Sequence, residues 1–291
     1  MTAPRRRLVL IAMVLLATTL AFLLRPVRRE GQFHVPSAGE ARRAEAMFAD
    51  LLGRAARGEG ADAVAQVGKF GLALRRPEQP TALALAEPEG ACSGRGVYLL
   101  REGQGLLPVA LVAPHRGADL RTGEIAGALF SEFQFTAAAW NSAPRRSGEG
   151  CAEGGDVTRE PTHYLTAFSQ AFARRYPRGR IVQLHGFDAA RRQGQAAMEA
   201  DAIVSDGSPA PSERLLDLAG CLSAAFPQRS VLVYPIDTDQ LGATTNAQGR
   251  ALRKAGFAGF AHLELSAGFR KDLEANATAR ARLAACLGAG R

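Results

Sequence analysis

A three-layer α/β fold, with a mixed sheet and helices on both of its faces, is predicted by three features of the sequence. From Val97 onward, short apolar runs alternate with stretches of helical period. Several of those helical stretches open on residues suited to capping. Over 291 positions, 47% hydrophobic and 22% charged residues suit a packed core and exclude collagen-like or disordered chains. The length allows one or two domains.

The elements follow in order. Leu8 to Leu24 is an uncharged run flanked by Arg5–Arg7 and by Arg25. At about 1.5 Å per residue it predicts a short transmembrane helix. A cleaved signal peptide is the rival, although Thr19-Leu20-Ala21 is followed by Phe22, Leu23 and Leu24, a poor cleavage site. Residues 1–29 are therefore expected to be a membrane anchor or signal segment and 30–39 a connector. Residues 40–291 are expected to form a single α/β domain that opens with a helix and a hairpin. The helix is Glu40–Arg57, with Met47, Phe48, Leu51 and Leu52 on one side; Leu72–Leu74 and Ala82–Ala86 form the hairpin. Strands are expected at Val97–Leu100, Leu107–Ala113, Arg180–Leu184, Ala202–Ser205, Ser230–Pro235 and Phe260–Leu265. Helices are expected at Pro161–Tyr176, Ser212–Phe226 and Asn246–Ala255.

Charge excludes one class of function. Of 36 Lys+Arg, six lie in residues 1–29, which hold no acid, so the rest of the chain carries 30 basic against 28 acidic residues. A body so near neutrality lacks the footprint of a nucleic-acid binder. Nucleotide-binding strings of the G-x-x-x-x-G-K-[ST] or G-x-G-x-x-G type are absent, as is G-x-S-x-G. Cys92, Cys151, Cys221 and Cys286 have neither C-x-x-C nor zinc-finger spacing, and four cysteines allow three pairings. Adjacent pairing would staple each half locally, in keeping with export from the cytoplasm. The domain is then expected on the periplasmic side of a bacterial inner membrane, held by a single span.

Two apolar strands run straight into histidine: Leu107–Pro114 into His115, and Arg180–Leu184 into His185. The carboxyl ends of strands are where open α/β sheets gather ligands. Two imidazoles and a carboxylate are ordinary zinc ligands. Asp119 is the nearest carboxylate that a tight loop returns to His115; Glu124 is the second candidate, unless it simply begins the next helix. In Phe260–Leu265, His262 and Glu264 share a face. Glu264 beside an activated water suits a general base that later protonates a leaving amine. His163 and His262 are additional donors or supports. His34 has no assigned role.

A histidine and carboxylate after one strand, a later strand ending in histidine and a glutamate near the C-terminus resemble, in that order, the zinc-dependent carboxypeptidases. The wider group includes N-formylglutamate amidohydrolases, poly-gamma-glutamate hydrolases and cell-wall N-acetylmuramoyl-alanine amidases. The likeness covers roughly Val97 to Phe269 and implies a phosphorylase/hydrolase-like fold. It also implies Zn2+ on His115, Asp119 and His185, with Glu264 as acid/base. The sequence departs from the carboxypeptidase H-x-x-E spacing, having His115-x-x-x-Asp119. Asn141-Ser-Ala-Pro-Arg145-Arg146 resembles the Asn/Arg arrangement that grips a terminal carboxylate, with Arg270 as an alternate anchor. The expected activity is hydrolysis of an amide bond in a peptide, acyl-amino acid or peptidoglycan fragment. The alternatives are a silent envelope protein that binds a ligand or partner, and a metal-dependent phosphoesterase.

Overall fold

The computed structural model describes residues 31–60, 64–75, 82–148 and 151–289. The expected span at Leu8–Leu24 lies outside them. Among the described residues no helix is long and apolar enough to cross a membrane.

Among the described residues nine strands form one mixed sheet. They are β1 (Ala73–Arg75), β2 (Ala82–Ala86), β3 (Val97–Arg101), β4 (Leu107–Ala113), β5 (Phe135–Trp140), β6 (Arg180–Gly186), β7 (Ala202–Ser205), β8 (Val231–Val233) and β9 (Phe260–Leu265). Their order across the sheet is β1-β2-β3-β5-β4-β6-β9-β7-β8. The central strands β5, β4, β6 and β9 run parallel, and the flanks turn antiparallel at β3 and β7. The helices are α1 (Ala38–Arg57), α2 (Val64–Gly68), α3 (Thr122–Glu132), α4 (Tyr164–Arg175), α5 (Gln195–Glu199), α6 (Glu213–Ala225), α7 (Ala247–Lys254), α8 (Ala267–Ala275) and α9 (Ala277–Gly288).

Alternation along the strands feeds two cores. On β4, Ala110 and Val112 pack with α1 and α4, while Val109, Leu111 and Ala113 pack with α3 and α9 on the opposite face. The predicted layering of helices on both faces is therefore present. α1 shows how a sequence signal becomes an element. The Ser37 hydroxyl accepts from the Glu40 N–H, Gly58 closes the helix in the left-handed region, and Met47, Phe48, Leu51 and Leu52 are buried between them. Each such apolar side chain contributes about 1.5–3 kcal/mol on burial.

Strands β4, β7 and β9 have the predicted limits. The strand expected at Ser230–Pro235 is shorter, ending at Val233 ahead of a cis Tyr234–Pro235 bond. β5 was not expected at all: Phe-Thr-Ala-Ala-Ala-Trp has little of the β-branched content that marks a strand. The four described cysteines pair as Cys92–Cys151 and Cys221–Cys286, the adjacent pairing.

One face of β6 and β9 prepares the site. Ile181, Gln183 and His185 share a face with their register partners Phe260, His262 and Glu264. At the amino ends this face is apolar, Ile181 and Phe260 lying in the α4 and α7 core. At the carboxyl ends the same face carries two imidazoles, an amide and a carboxylate, all buried.

Candidate metal centre

The centre is built at the carboxyl ends of β4, β6 and β9. Past β4 the chain turns sharply: the His115 carbonyl accepts from the N–H groups of Ala118 (2.9 Å) and Asp119 (2.7 Å). That turn folds Asp119 back over His115. The Thr122 hydroxyl donates to the Asp119 carbonyl at 2.8 Å and holds the turn at the start of α3. Asp119 Oδ2 then lies 3.0 Å from His185 Nδ1 and 3.5 Å from His115 Nδ1. The His115 and His185 ring centroids are 5.1 Å apart. One ligand atom from each of His115, Asp119 and His185 lies within 4.8 Å of the others, and all three residues are buried.

Asp156, which nothing in the sequence singled out for this role, supports the group. Its Oδ1 takes a 2.9 Å bond from His115 Nε2 and a 2.6 Å bond from the Thr158 hydroxyl. Its Oδ2 takes Nη2 (2.7 Å) and Nε (3.1 Å) of Arg145. With Nε2 donating to Asp156, His115 presents Nδ1 as a lone pair, and this buried atom has no hydrogen-bond partner. A buried acceptor left unmatched costs about 1–3 kcal/mol unless something fills it.

Electrostatics follow from these contacts. Burial depresses the His115 pKa, but the carboxylates of Asp119 and Asp156 outweigh it and the net shift is upward. Burial works against Asp119 ionisation too; bonds from His115 and His185 outweigh it and hold the carboxyl far below the ordinary range.

A second donor group adjoins the first. His185, His262 and Glu264 also offer ligand atoms within 4.8 Å of one another. The His262 ring lies 4.4 Å from that of His185, and its Nε2 is 3.7 Å from Glu264 Oε1. Burial and the neighbouring His185 push the His262 pKa well down, so this imidazole is neutral. Burial raises the Glu264 pKa.

All of these open on one cavity of about 610 Å³, within the range of small-molecule sites. Of the anchors expected from sequence, Arg145, Arg146 and Arg270 line it; Asn141 does not. The Asn141 amide is spent on its own turn, donating to the Ala143 carbonyl at 2.8 Å, and it faces a separate cavity with Trp140 and Arg116. Glu124 is also outside the site, on the first turn of α3 with Arg116 3.5 Å away. His163 is buried elsewhere. It caps α4, its Nδ1 accepting from the Leu165 N–H (3.1 Å) while Nε2 donates to the Gly94 carbonyl (2.7 Å). Both nitrogens are used, and burial lowers its pKa to about 4. It cannot also hold an ion. Gln183 and Asn246, which join through a 2.7 Å bond beside His185, are further polar groups at the centre.

No family model and no curated protein matches the chain. Among solved structures it is similar to an N-formylglutamate amidohydrolase from Ralstonia eutropha JMP134, at 14% identity and TM-score 0.43. That match covers 66% of this chain and 95% of the other. A metallo-carboxypeptidase from Burkholderia cenocepacia gives 14% identity and TM-score 0.37, over 79% and 67% of the two chains. Gene product Atu2144 from Agrobacterium tumefaciens gives 12% and 0.42, over 62% and 88%. Amidohydrolase and carboxypeptidase are the kinds of protein that the sequence resembles. At such identities and scores the likeness assigns no family, and the chemistry must be read from the side chains.

Proposed function

We propose that the protein is a zinc-dependent hydrolase of amide bonds. The observation that carries this reading is the convergence of His115 Nδ1, Asp119 and His185, from residues up to 70 apart in the chain, on one buried point. Two imidazoles and a carboxylate suit Zn2+, and the orphaned His115 Nδ1 is the lone pair such an ion would take. When bound, a divalent ion there supplies Lewis acidity, polarising a carbonyl and making water a nucleophile near neutral pH.

The protein's own groups do the rest. Asp156 fixes the His115 tautomer and ring plane. Glu264, whose pKa burial raises, accepts the proton of the attacking water and returns it to the leaving amine. Arg145 is held at one edge by Asp156, which leaves its remaining Nη for a substrate carboxylate; Arg146 stands beside it on the cavity wall. The substrates are peptides, acylated amino acids or peptidoglycan stem fragments. The two disulfides fit an oxidising, extracytoplasmic setting.

Metal analysis of the full-length chain tests this reading directly. Near-stoichiometric zinc in the wild type, lost in His115→Ala and in His185→Ala together with amide hydrolysis, supports it. A wild type without bound metal, or one that releases phosphate from esters and cleaves no amide, overturns it.

A further inference from the structure

The cavity walls carry more positive charge than the anchoring of one carboxylate needs. Arg145, Arg146 and Arg159 reach it from the segment that follows β5. Arg191 and Arg192 reach it from the connection that leaves β6 and crosses β9 to join β7. In the sheet order β5-β4-β6-β9-β7, the strands β5 and β7 to which these two segments connect flank the strands that carry the donor group.

The two sides differ in how far their charge is spent. On the first, Asp156 takes the bonds of Arg145 and lies 3.6 Å from Arg159. On the second, Arg191 and Arg192 form no close ion pair with a carboxylate among the described residues, although the charge of Arg192 is felt by Glu264. Of the acids on the cavity wall (Asp119, Asp188 and Glu264), Asp188 is their neighbour in sequence; it turns Oδ1 to the Ala190 N–H, and Arg192 Nε meets the Asp188 carbonyl, at 3.4 Å. Between the sides, Arg270 is buried against Gly186, where a Cβ would collide with its guanidinium. One of its Nη groups donates to the Leu265 carbonyl, while its Nε is buried and has no hydrogen-bond partner. A buried guanidinium N–H without a partner is an unfilled donor.

Resting on the amide-hydrolase reading, we infer that the substrate carries negative charge on both sides of the scissile bond. Its terminal carboxylate lies on the Arg145 side, and an anionic side chain on the acyl side is received by Arg191 and Arg192. Carboxylate and phosphate share the forked geometry that guanidinium recognises.

The test uses three peptides with free C-termini, Ac-Ala-Glu-Ala, Ac-Ala-Gln-Ala and Ac-Ala-pSer-Ala. They are titrated into the full-length Glu264→Gln chain so that turnover does not consume them. The glutamyl or phosphoseryl peptide should bind at least about tenfold tighter than the glutaminyl one, a difference of about 1.4 kcal/mol. Whichever of the two binds tighter identifies the anion. In a chain also carrying Arg191→Gln and Arg192→Gln the preference should fall below about twofold, with the glutaminyl affinity unchanged. Equal affinities, no binding of any peptide, or a preference that survives the double change overturns the inference. Hydrolysis by the wild type is scored separately. If no peptide is cleaved the amide-hydrolase reading suffers, while the affinities still decide the question of charge.

Discussion

His115 and His163 are both buried histidines that start from the same side-chain chemistry, yet their surroundings drive them apart. His163 gives both nitrogens to the backbone, capping α4 and reaching Gly94, and burial holds it neutral with a pKa of about 4. His115 gives one nitrogen to a carboxylate, Asp156, and keeps the other unpaired beside a second carboxylate, Asp119. A backbone partner saturates an imidazole and makes it part of the scaffold. A carboxylate partner raises its basicity and aims it, which is what ligation requires.

This contrast can be broken most severely at the proposed ligand positions. His115→Ala or Asp119→Ala should remove nearly all bound zinc and lower amide hydrolysis by 10³-fold or more, measured by elemental analysis and turnover. An unaltered metal content would place the ion elsewhere. Glu264→Gln separates holding the ion from moving the proton. Zinc should stay near stoichiometric while kcat falls about 10²–10⁴-fold.

Asp156→Ala should act more gently, weakening zinc affinity by about 10–100-fold in competition with a chelator. Full affinity in that variant would show that the carboxylate does nothing for His115.

His163 supplies the opposite pole. Its folded pKa of about 4 lies below the ordinary 6.5, so between those values the unfolded chain binds more protons than the folded one. The contribution of this group to stability is greatest above about pH 6.5 and falls by roughly 3 kcal/mol as pH drops to about 4, below which it no longer changes. His163→Asn keeps a capping side chain and should flatten that part of the denaturation profile. Its zinc content and turnover at neutral pH should stay within about twofold of wild type.

Sequence alone carried a good deal of this, and for definable reasons. β4 and β7 were found at their true limits because short apolar runs between turn residues are strong signals, and β9 because its apolar residues hold a strand even with His262 and Glu264 between them. Ser212 and Asn246 were recognised as helix openers, and each accepts the backbone N–H of the third residue of its helix, Leu215 and Gly249. His115 and His185 were traceable because a polar residue at the end of an apolar strand faces a rim or a site, and His262 and Glu264 because residues two apart in a strand share a face. Asp156 was not, since it lies 41 positions from His115 in sequence and only tertiary structure brings the two together. Asn141 misled for the converse reason. Its spacing from Arg145 suggested a clamp, while local bonding to Ala143 was energetically closer at hand. β5 escaped because alanine records neither strand preference nor periodicity, and its place between β3 and β4 comes from pairing.

The Cys92–Cys151 bridge bears on how this protein should be produced. It ties the segment between Arg145 and Asp156 to the turn ahead of β3, across 59 positions of chain, and a loop of that size constrains the unfolded state by about 4 kcal/mol. Made in a reducing host cytosol, the chain would lack that tether on the segment whose Asp156 carboxylate steadies His115. Preparations from such a host should arrive short of zinc, and secretion or oxidative refolding is the route to material worth assaying.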